Sequence, residues 1–342
     1  MEKKRKLYLD IFRGFLIVLV IAGHVIQQAL PRSFDGNHVF RYIYSFHMPA
    51  FMFVSGFCCA RATYGISFLK DRAARLLIPF FTWFLISELI RGEYGHLLEN
   101  TGRFLLHPDT GLWFLWALFF CTALLVLCTD ISARSGLAPM GVLFAAAVLL
   151  YAVLVFFPIK YLGVQFISYY FMFFVLGICM RKMEDHFLHP GRWITLVLLA
   201  AYFAAAFFWT RKGAIPVCGR DLVGVQAYFY RWIAALVGIA AWMRVFHLLD
   251  AFFERRKDTL PVRFMETVGK NTLGIYASHG PLILLLLALT RGLEEAVAVR
   301  LALVTVVVLA ISLGMVLLFR YNRWSALLLL GERAPAPCRE GN

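Results

Sequence analysis

Three ionisable residues interrupt the first apolar stretch of the chain, which reads LYLDIFRGFLIVLVIAGHVI. Arg13 and His24 are 11 positions apart. On a helix they therefore point the same way to within about 20° and lie about 16 Å apart along the axis. Asp10 precedes Arg13 by one helical turn and is placed to pair with it. An imidazole can act as a base or a nucleophile near neutral pH, and a guanidinium binds anions. The stretch therefore contains residue types suited to group transfer or proton transfer.

A second apolar stretch, YIYSFHMPAFMFVSGFCC, carries another histidine. His47 is expected at a depth comparable with that of His24, on an adjacent antiparallel helix, so that the two imidazoles can share a cavity. Pro49 lacks a backbone donor and is expected to kink this helix. Ser55 and Gly56 allow another helix to approach closely. The alternative for each histidine alone is a structural role, as a buried polar group bonded to a neighbouring helix.

Two further segments hold residues of the same kinds. His279, in TLGIYASHGPL, is expected about 12 Å from the start of its apolar segment. Arg72 and Arg75, in RATYGISFLKDRAARLLIP, are three positions apart and form one cationic face on a helix. Guanidinium groups bind phosphates in bidentate fashion. The alternative for this pair is anchoring at the membrane surface or contact with anionic lipid.

The elements that must position these residues are membrane helices. Of 342 residues, 61% are hydrophobic and 16% charged, and the mean hydropathy is +0.74. An average soluble domain has roughly 25% charged residues. The composition excludes a soluble globular enzyme, a disordered protein and a disulfide scaffold. With seven cysteines and no C-x-x-C pair, the sequence predicts neither a metal site nor a disulfide framework.

The hydropathy pattern predicts an all-α polytopic membrane protein with about ten spans of roughly 20 residues. The first is read as a retained span rather than a signal peptide, because it is long and contains charged residues. The third is the weakest, because Glu88 lies near its end. The predicted spans are 8–28, 42–60, 76–91, 112–129, 140–157, 164–180, 193–209, 227–246, 272–290 and 301–319.

Most of the formal charge of +14 is explained by topology. With the N-terminus in the cytoplasm, 23 of the 34 lysines and arginines fall on that side. The positive-inside rule then predicts that both termini are cytoplasmic and that the protein is in the cytoplasmic (inner) membrane, with no nucleic-acid partner. We expect a single domain over residues 1–342, with a membrane core over 8–319 and a short cytoplasmic tail over 320–342.

These motifs, in this order, resemble those of the membrane acyltransferase-3 family, which includes bacterial O-acetyltransferases of surface glycans. The similarity is greatest to the short single-domain branch of fucose O-acetylases and enterobacterial-type O-acetyltransferases. A C-terminal extracytoplasmic esterase-like domain, present in some relatives, is not expected here. Five elements carry the resemblance: the Arg-x10-His pair Arg13 and His24; SFHMPAFMFVSGF with His47, Pro49, Ser55 and Gly56; DRAARLLIP with Arg72 and Arg75; GLWFLWALFF with Trp113 and Phe114; and GKNTLGIYASHGPL with Asn271, Tyr276 and His279.

The resemblance implies transfer of an acetyl group from cytoplasmic acetyl-CoA to a hydroxyl of a glycan or lipid-linked sugar, with no permanently bound cofactor. It implies His24 as general base or acyl-carrying nucleophile, two roles that the sequence does not separate. It also implies a catalytic role for Arg13, and binding of the acyl-CoA by Arg13, Arg72 and Arg75. Catalytic support would come from His47, Ser55, Asp10 and His279. The residues expected along the tunnel or at the acceptor are Trp113, Phe114, Asn271 and Tyr276.

Three alternatives stay open at this point. Ionisable residues within spans also occur in transporters of lipid-linked sugars or proton-coupled solutes, although no internal repeat supports one here. The second is a non-catalytic membrane sensor or scaffold. The third is acyl transfer with a longer donor, such as succinyl-CoA, or to a non-sugar acceptor. Trp113, Arg103 and Asp109 fall on the outer side of the predicted topology, where they would meet a sugar.

Overall fold

The computed structural model describes residues 6–59, 64–92, 94–108, 112–157, 159–188, 191–293 and 296–333. These residues form helices and one short hairpin of antiparallel strands, in which Pro216 pairs with Asp221. The elements are α1 (Leu7–Ala29), α2 (His38–Tyr44), α3 (His47–Cys59), α4 (Ile66–Arg91), α5 (Leu97–Leu106), α6 (Trp113–Ser135), α7 (Pro139–Phe156), α8 (Val164–Lys182), α9 (Glu184–Leu188), α10 (Arg192–Phe208), β1 (Ile215–Val217), β2 (Arg220–Leu222), α11 (Gly224–Leu248), α12 (Asp250–Arg255), α13 (Leu260–Lys270), α14 (Thr272–Leu289), α15 (Val297–Phe319) and α16 (Arg323–Leu330).

Long apolar helices make up the body of the described structure, which confirms the all-α polytopic membrane class. Eight helical segments there are long and apolar enough to cross a bilayer: Leu7–Ala29, Ile66–Ile90, Trp113–Ser135, Pro139–Phe156, Val164–Lys182, Gly224–Arg255, Thr272–Leu289 and Val297–Phe319. A shorter apolar helix, α10, has 17 residues. These nine correspond in position to nine of the ten predicted spans.

The remaining predicted span, 42–60, is broken rather than kinked. It divides into α2 and α3 at Ser45 and Phe46. Pro49 has no N–H to donate to the carbonyl of Ser45, four residues earlier. The Phe46 N–H donates to the carbonyl of Ile43, at 3.4 Å, so the carbonyl of Tyr42 accepts instead from the hydroxyls of Ser45, at 3.0 Å, and Tyr202. Side chains therefore replace the helical bond of Tyr42, and α3 starts with the proline in its first turn.

The third span begins ten residues earlier than predicted. Helix α4 runs continuously from Ile66, so that Arg72 and Arg75 belong to the spanning helix itself rather than to a segment before it. Pro79 lies inside the helix, which continues past it to Arg91. Both arginines are consequently tied to a rigid element that reaches into the bundle.

Glycines permit the closest helix crossings in the bundle. A Cβ on Gly56 of α3 would lie 2.0 Å from the carbonyl oxygen of Phe174 on α8, and a Cβ on Gly177 of α8 would lie 2.0 Å from that of Phe53. A Cβ on Gly269 of α13 would lie 1.7 Å from the carbonyl oxygen of Asp10 on α1. These two crossings hold α1 and α3, the helices that carry His24 and His47, against their neighbours.

The C-terminal part of the described chain packs on α4. Trp83 donates from Nε1 to the carbonyl of Leu329, at 3.0 Å, and Arg333 pairs with Asp71 at 2.9 Å. The described part of the predicted tail is therefore folded against the bundle. We call the end of the bundle at which α1, α4 and α14 begin the basic end, and the opposite end the far end.

Candidate functional site

The basic end carries a group of four arginines, with Arg75 at its centre. Arg75 lies close enough to Arg13, Arg72 and Arg320 to interact with each electrostatically, and Glu332 is the acidic residue among them. Glu332 accepts from both Nε and Nη2 of Arg320, at 2.8 and 2.6 Å. The surplus of positive charge in this group suits a polyanionic ligand.

Within this group Arg13 and Arg72 are held by different partners. Arg13 lies 3.7 Å from the buried carboxylate of Asp10, the pairing expected from their spacing. Arg72 lies over the ring of Phe68, 5.2 Å from its centroid, and 3.6 Å from the sulfur of Cys59 at the end of α3. Asp10 and Cys59 thus restrain the directions in which the two guanidinium groups can point.

A partly enclosed cavity of about 70 Å³ extends from Arg13 into the bundle. Its walls are mostly apolar, and it is lined along its length by α1, α3, α6 and α14. Ser55 borders it but donates its hydroxyl proton to the carbonyl of Phe51, at 2.8 Å, so that proton is already engaged. The lining also includes Arg13, Met48, Phe114 and Tyr276. The cavity is therefore a passage of low polarity with a cation at one end.

Two histidines from α1 and α14 meet beyond the lining residues. The distance between His24 Nδ1 and His279 Nε2 is 3.4 Å, and the ring centroids are 5.0 Å apart. His279 is buried, whereas His24 is half-buried. The predicted pairing of His24 with His47 is not the closest one, since His279 makes the direct contact.

The hydrogen bonds assign the tautomers of this pair in its neutral form. The carbonyl of Tyr276 can only accept, so His279 donates to it from Nδ1, at 2.5 Å. His279 Nε2 then has a lone pair and accepts from Nδ1 of His24. His24 is left with its lone pair on Nε2. The arrangement therefore presents an unprotonated imidazole nitrogen, which is the atom that a base or nucleophile requires.

His47 lies near His24 but is separated from it by Tyr44. The Tyr44 ring centroid is 4.7 Å from that of His47 and 6.4 Å from that of His24. His47 donates from Nδ1 to the carbonyl of Ile43, at 2.8 Å, which leaves its buried Nε2 without a hydrogen-bond partner among the described residues. Tyr44 donates its hydroxyl to Gln27, at 2.8 Å. The three histidines and Tyr44 thus form one polar cluster inside the bundle.

The other predicted residues are spread over the two ends. Phe114 packs edge-on against Tyr276, with centroids 5.8 Å apart, and both line the cavity. Trp113 stacks on Tyr170 at the far end, at 5.1 Å. Asn271 lies at the start of α14, next to the lining residues, and its buried Oδ1 has no partner among the described residues. Asp109 lies outside the described residues.

Sequence reasoning missed Tyr44 and Arg211. Tyr44 precedes His47 by three residues, a spacing that would place both on one face of the continuous helix predicted over 42–60 and could have indicated it. Arg211 follows α10 in a loop, where no periodicity signals a side chain's direction. Arg103 pairs with Glu99 on α5, at 2.5 Å.

Comparison of the sequence with known proteins identifies its family. The family model described as an acyltransferase domain matches residues 6–319. The nodulation protein NolL of Sinorhizobium fredii (strain NBRC 101917 / NGR234) is 32% identical over 295 residues, which is 81% of this chain and 77% of that protein. NolL of Mesorhizobium japonicum (strain LMG 29417 / CECT 9101 / MAFF 303099) is 28% identical over 222 residues, 61% of this chain and 57% of that protein. No solved structure matches the chain significantly. The chain therefore belongs to the acyltransferase-3 family, and it is a multi-pass membrane acyltransferase.

Proposed function

We propose that the protein is an O-acetyltransferase of the cytoplasmic membrane, with both termini in the cytoplasm. It takes the acetyl group from cytoplasmic acetyl-CoA and transfers it to a hydroxyl of a cell-surface glycan or lipid-linked sugar. The observation that carries the proposal is the alignment of three features along α1: the arginines at the basic end, the apolar cavity, and the free nitrogen of His24.

Each feature corresponds to one part of the donor. Coenzyme A carries several phosphate charges, and arginine is the side chain best suited to bind them. The cavity is apolar and begins at Arg13, so it suits the uncharged arm that bears the thioester. The rise of a helix puts His24 about 16 Å from Arg13 along α1. The phosphates would stay at the basic end while the acetyl group reaches the histidines.

In the proposed reaction His24 acts as the general base. Nε2 of His24 takes the proton of the acceptor hydroxyl as the oxygen attacks the carbonyl carbon of the thioester. The carbon–sulfur bond then breaks, and the coenzyme A thiolate receives the proton back from the imidazolium. The products are the acetyl ester and free coenzyme A. His279 accepts a hydrogen bond from Nδ1 of His24, and so places the lone pair on Nε2 of His24 before the reaction begins.

Transfer of labelled acetyl from acetyl-CoA to isolated glycan, by purified protein in liposomes, tests the proposal. His24→Ala should lower the rate by about 10²–10⁴-fold, the usual contribution of a general base. His38→Ala is a matched control, because His38 is exposed at the far end and stacks on Phe207. Full activity of correctly folded His24→Ala protein would remove His24 from the chemistry. Solute flux that needs no acyl donor would favour a transporter instead.

The donor site has a separate test. The double variant Arg72→Ala with Arg75→Ala should raise KM for acetyl-CoA by about tenfold or more with a smaller effect on kcat, since charge-assisted contacts to phosphate would be lost. Arg134→Ala is the control, because Arg134 is exposed and pairs with Asp130 on α6, at 2.9 Å. An unchanged KM in stably inserted double variant would show that the phosphates bind elsewhere.

A further inference from the structure

Arg211 is held over the histidine cluster by a loop at the far end. Its backbone N–H donates to Asp35 at 3.2 Å. Arg231 of α11 donates from Nε to the carbonyl of Thr210, at 2.8 Å, and from Nη2 to that of Gly213, at 2.9 Å. The residues on both sides of Arg211 are thus clamped by a second arginine.

The Arg211 side chain is directed towards the reactive histidine. Its guanidinium carbon lies 5.7 Å from the centroid of the Tyr44 ring, the ring that separates His24 from His47. Arg211 is also near enough to both imidazoles to interact with them electrostatically. Within the described part of the chain its guanidinium has no ion pair or hydrogen bond. The guanidinium, on an exposed residue, is therefore free to bind a ligand at the far end of the bundle.

The positive charge of Arg211 has a cost in the proposed reaction. When His24 takes the acceptor's proton it becomes an imidazolium, and a nearby guanidinium opposes this second positive charge. A negative charge bound to Arg211 would cancel that opposition. Tyr44, Tyr170 and Trp113 add aromatic surface on the same side, with the Trp113 and Tyr170 rings stacked at 5.1 Å. Phe40 stacks on Tyr44, at 3.9 Å, and Phe166 on Trp113, at 4.7 Å, so the half-buried edges of these rings, rather than their full faces, would contact a sugar.

We propose that Arg211 and these aromatic residues form an acceptor subsite that binds an anionic group, a carboxylate or a phosphate, on the sugar whose hydroxyl is acetylated. This inference rests on the proposed function and narrows its acceptor to an anionic sugar. The anion positions the sugar at the far end of the cluster and lowers the electrostatic barrier to proton removal by His24.

Binding of three soluble probes to the full chain in nanodiscs tests the subsite. The probes are methyl β-D-glucuronide, glucose 1-phosphate and the neutral methyl β-D-glucoside, with dissociation constants measured by calorimetry or saturation-transfer NMR. At least one anionic probe should bind about tenfold or more tightly than the glucoside, because a charge-assisted contact is added. The probe that gains more identifies the anion as carboxylate or phosphate.

Variants show whether Arg211 causes the preference. Arg211→Gln should abolish the difference between anionic and neutral probes, and Arg211→Lys should retain part of it. Arg220→Gln is the matched control, because Arg220 is also exposed and lies on β2 in the hairpin that follows the same loop. Equal affinity for all three probes, no measurable binding of any probe, or an equal effect of Arg220→Gln would each overturn the proposal.

Acetyl-CoA binding to the same preparations separates this result from the proposed function. Arg211 lies at the far end, so Arg211→Gln should leave the affinity for acetyl-CoA unchanged. If the wild-type protein does not bind acetyl-CoA, the proposed function fails, whatever the sugar titrations show. If it binds acetyl-CoA but does not prefer anionic probes, the subsite alone is wrong.

Discussion

Replacing His279 tests the tautomer argument most directly. In the structure His279 contributes one long hydrogen bond of 3.4 Å to His24, and its own orientation is set by the Tyr276 carbonyl. A bond of this kind contributes about 1–2 kcal/mol, which corresponds to about 5–30-fold in rate. His279→Ala should therefore lower kcat for acetyl transfer by about this factor and leave KM for acetyl-CoA nearly unchanged.

Two further variants distinguish orientation of His24 from an independent role. In His279→Gln, the side-chain amide oxygen can still accept from His24 Nδ1, so the loss in kcat should be smaller than in the alanine variant. The double variant His24→Ala with His279→Ala should be no slower than His24→Ala alone, because a residue that acts only through His24 has nothing left to orient.

Single-turnover and steady-state acetyl transfer should be measured on each variant, with thermal melting in detergent to verify folding. His279 is buried, so the alanine variant leaves a cavity and requires that check. The reasoning is refuted if His279→Ala changes kcat by less than twofold while His24→Ala abolishes transfer. It is also refuted if the double variant is clearly slower than His24→Ala, since His279 would then act on the reaction by itself.

Three other predictions concern assembly, acid stability and donor affinity. Gly56→Ala should prevent correct folding, judged by size-exclusion profile and melting, because its Cβ would lie 2.0 Å from a carbonyl oxygen of α8; Gly314→Ala, which meets open space, should be tolerated. Burial alone would raise the pKa of Glu184, but hydrogen bonds from Lys6 and Tyr8 bring it below its ordinary value. The charged Glu184 therefore stabilises the fold above its ordinary pKa, and this stabilisation is lost as pH falls through the lowered pKa of the folded state. Glu184→Gln should reduce the melting temperature at pH 7 but not at strongly acidic pH. A reduction of the melting temperature that is the same at every pH would contradict this. Glu332→Gln should tighten acetyl-CoA binding about 2–5-fold at low salt and less at high salt, because it removes a negative charge beside Arg75, and an unchanged affinity at low salt would count against the donor site.

Much of the architecture followed from composition and periodicity. Apolar segments of about 20 residues are long enough to span hydrocarbon, and within a bilayer only helices satisfy their own backbone, so length and hydropathy predict the helices well. The position of Pro49 indicated irregular backbone in the second span. It did not indicate a complete break, because the break depends on hydroxyls of Ser45 and Tyr202 that replace helical hydrogen bonds.

Some features of the candidate site followed from the sequence, and others depended on how the helices pack. Helical geometry alone predicts that Arg13 and His24 lie on one face of α1 and that Arg13 pairs with Asp10, because these residues share one helix. The contact of His24 with His279 joins residues 255 positions apart, and the packing of α1, α13 and α14 decides it. Periodicity carries no information about such a distance.

The residue types and their order thus determined the membrane class, the family resemblance and the helices that carry the chemistry. Tertiary structure decided which imidazole contacts His24, which of its nitrogens is free, and that a loop arginine faces the cluster. The physical reason is that hydropathy and helical phase are local properties, whereas a hydrogen bond between two helices depends on how closely their backbones approach. Here that approach is set by glycines such as Gly269, whose Cβ would collide with the carbonyl of Asp10.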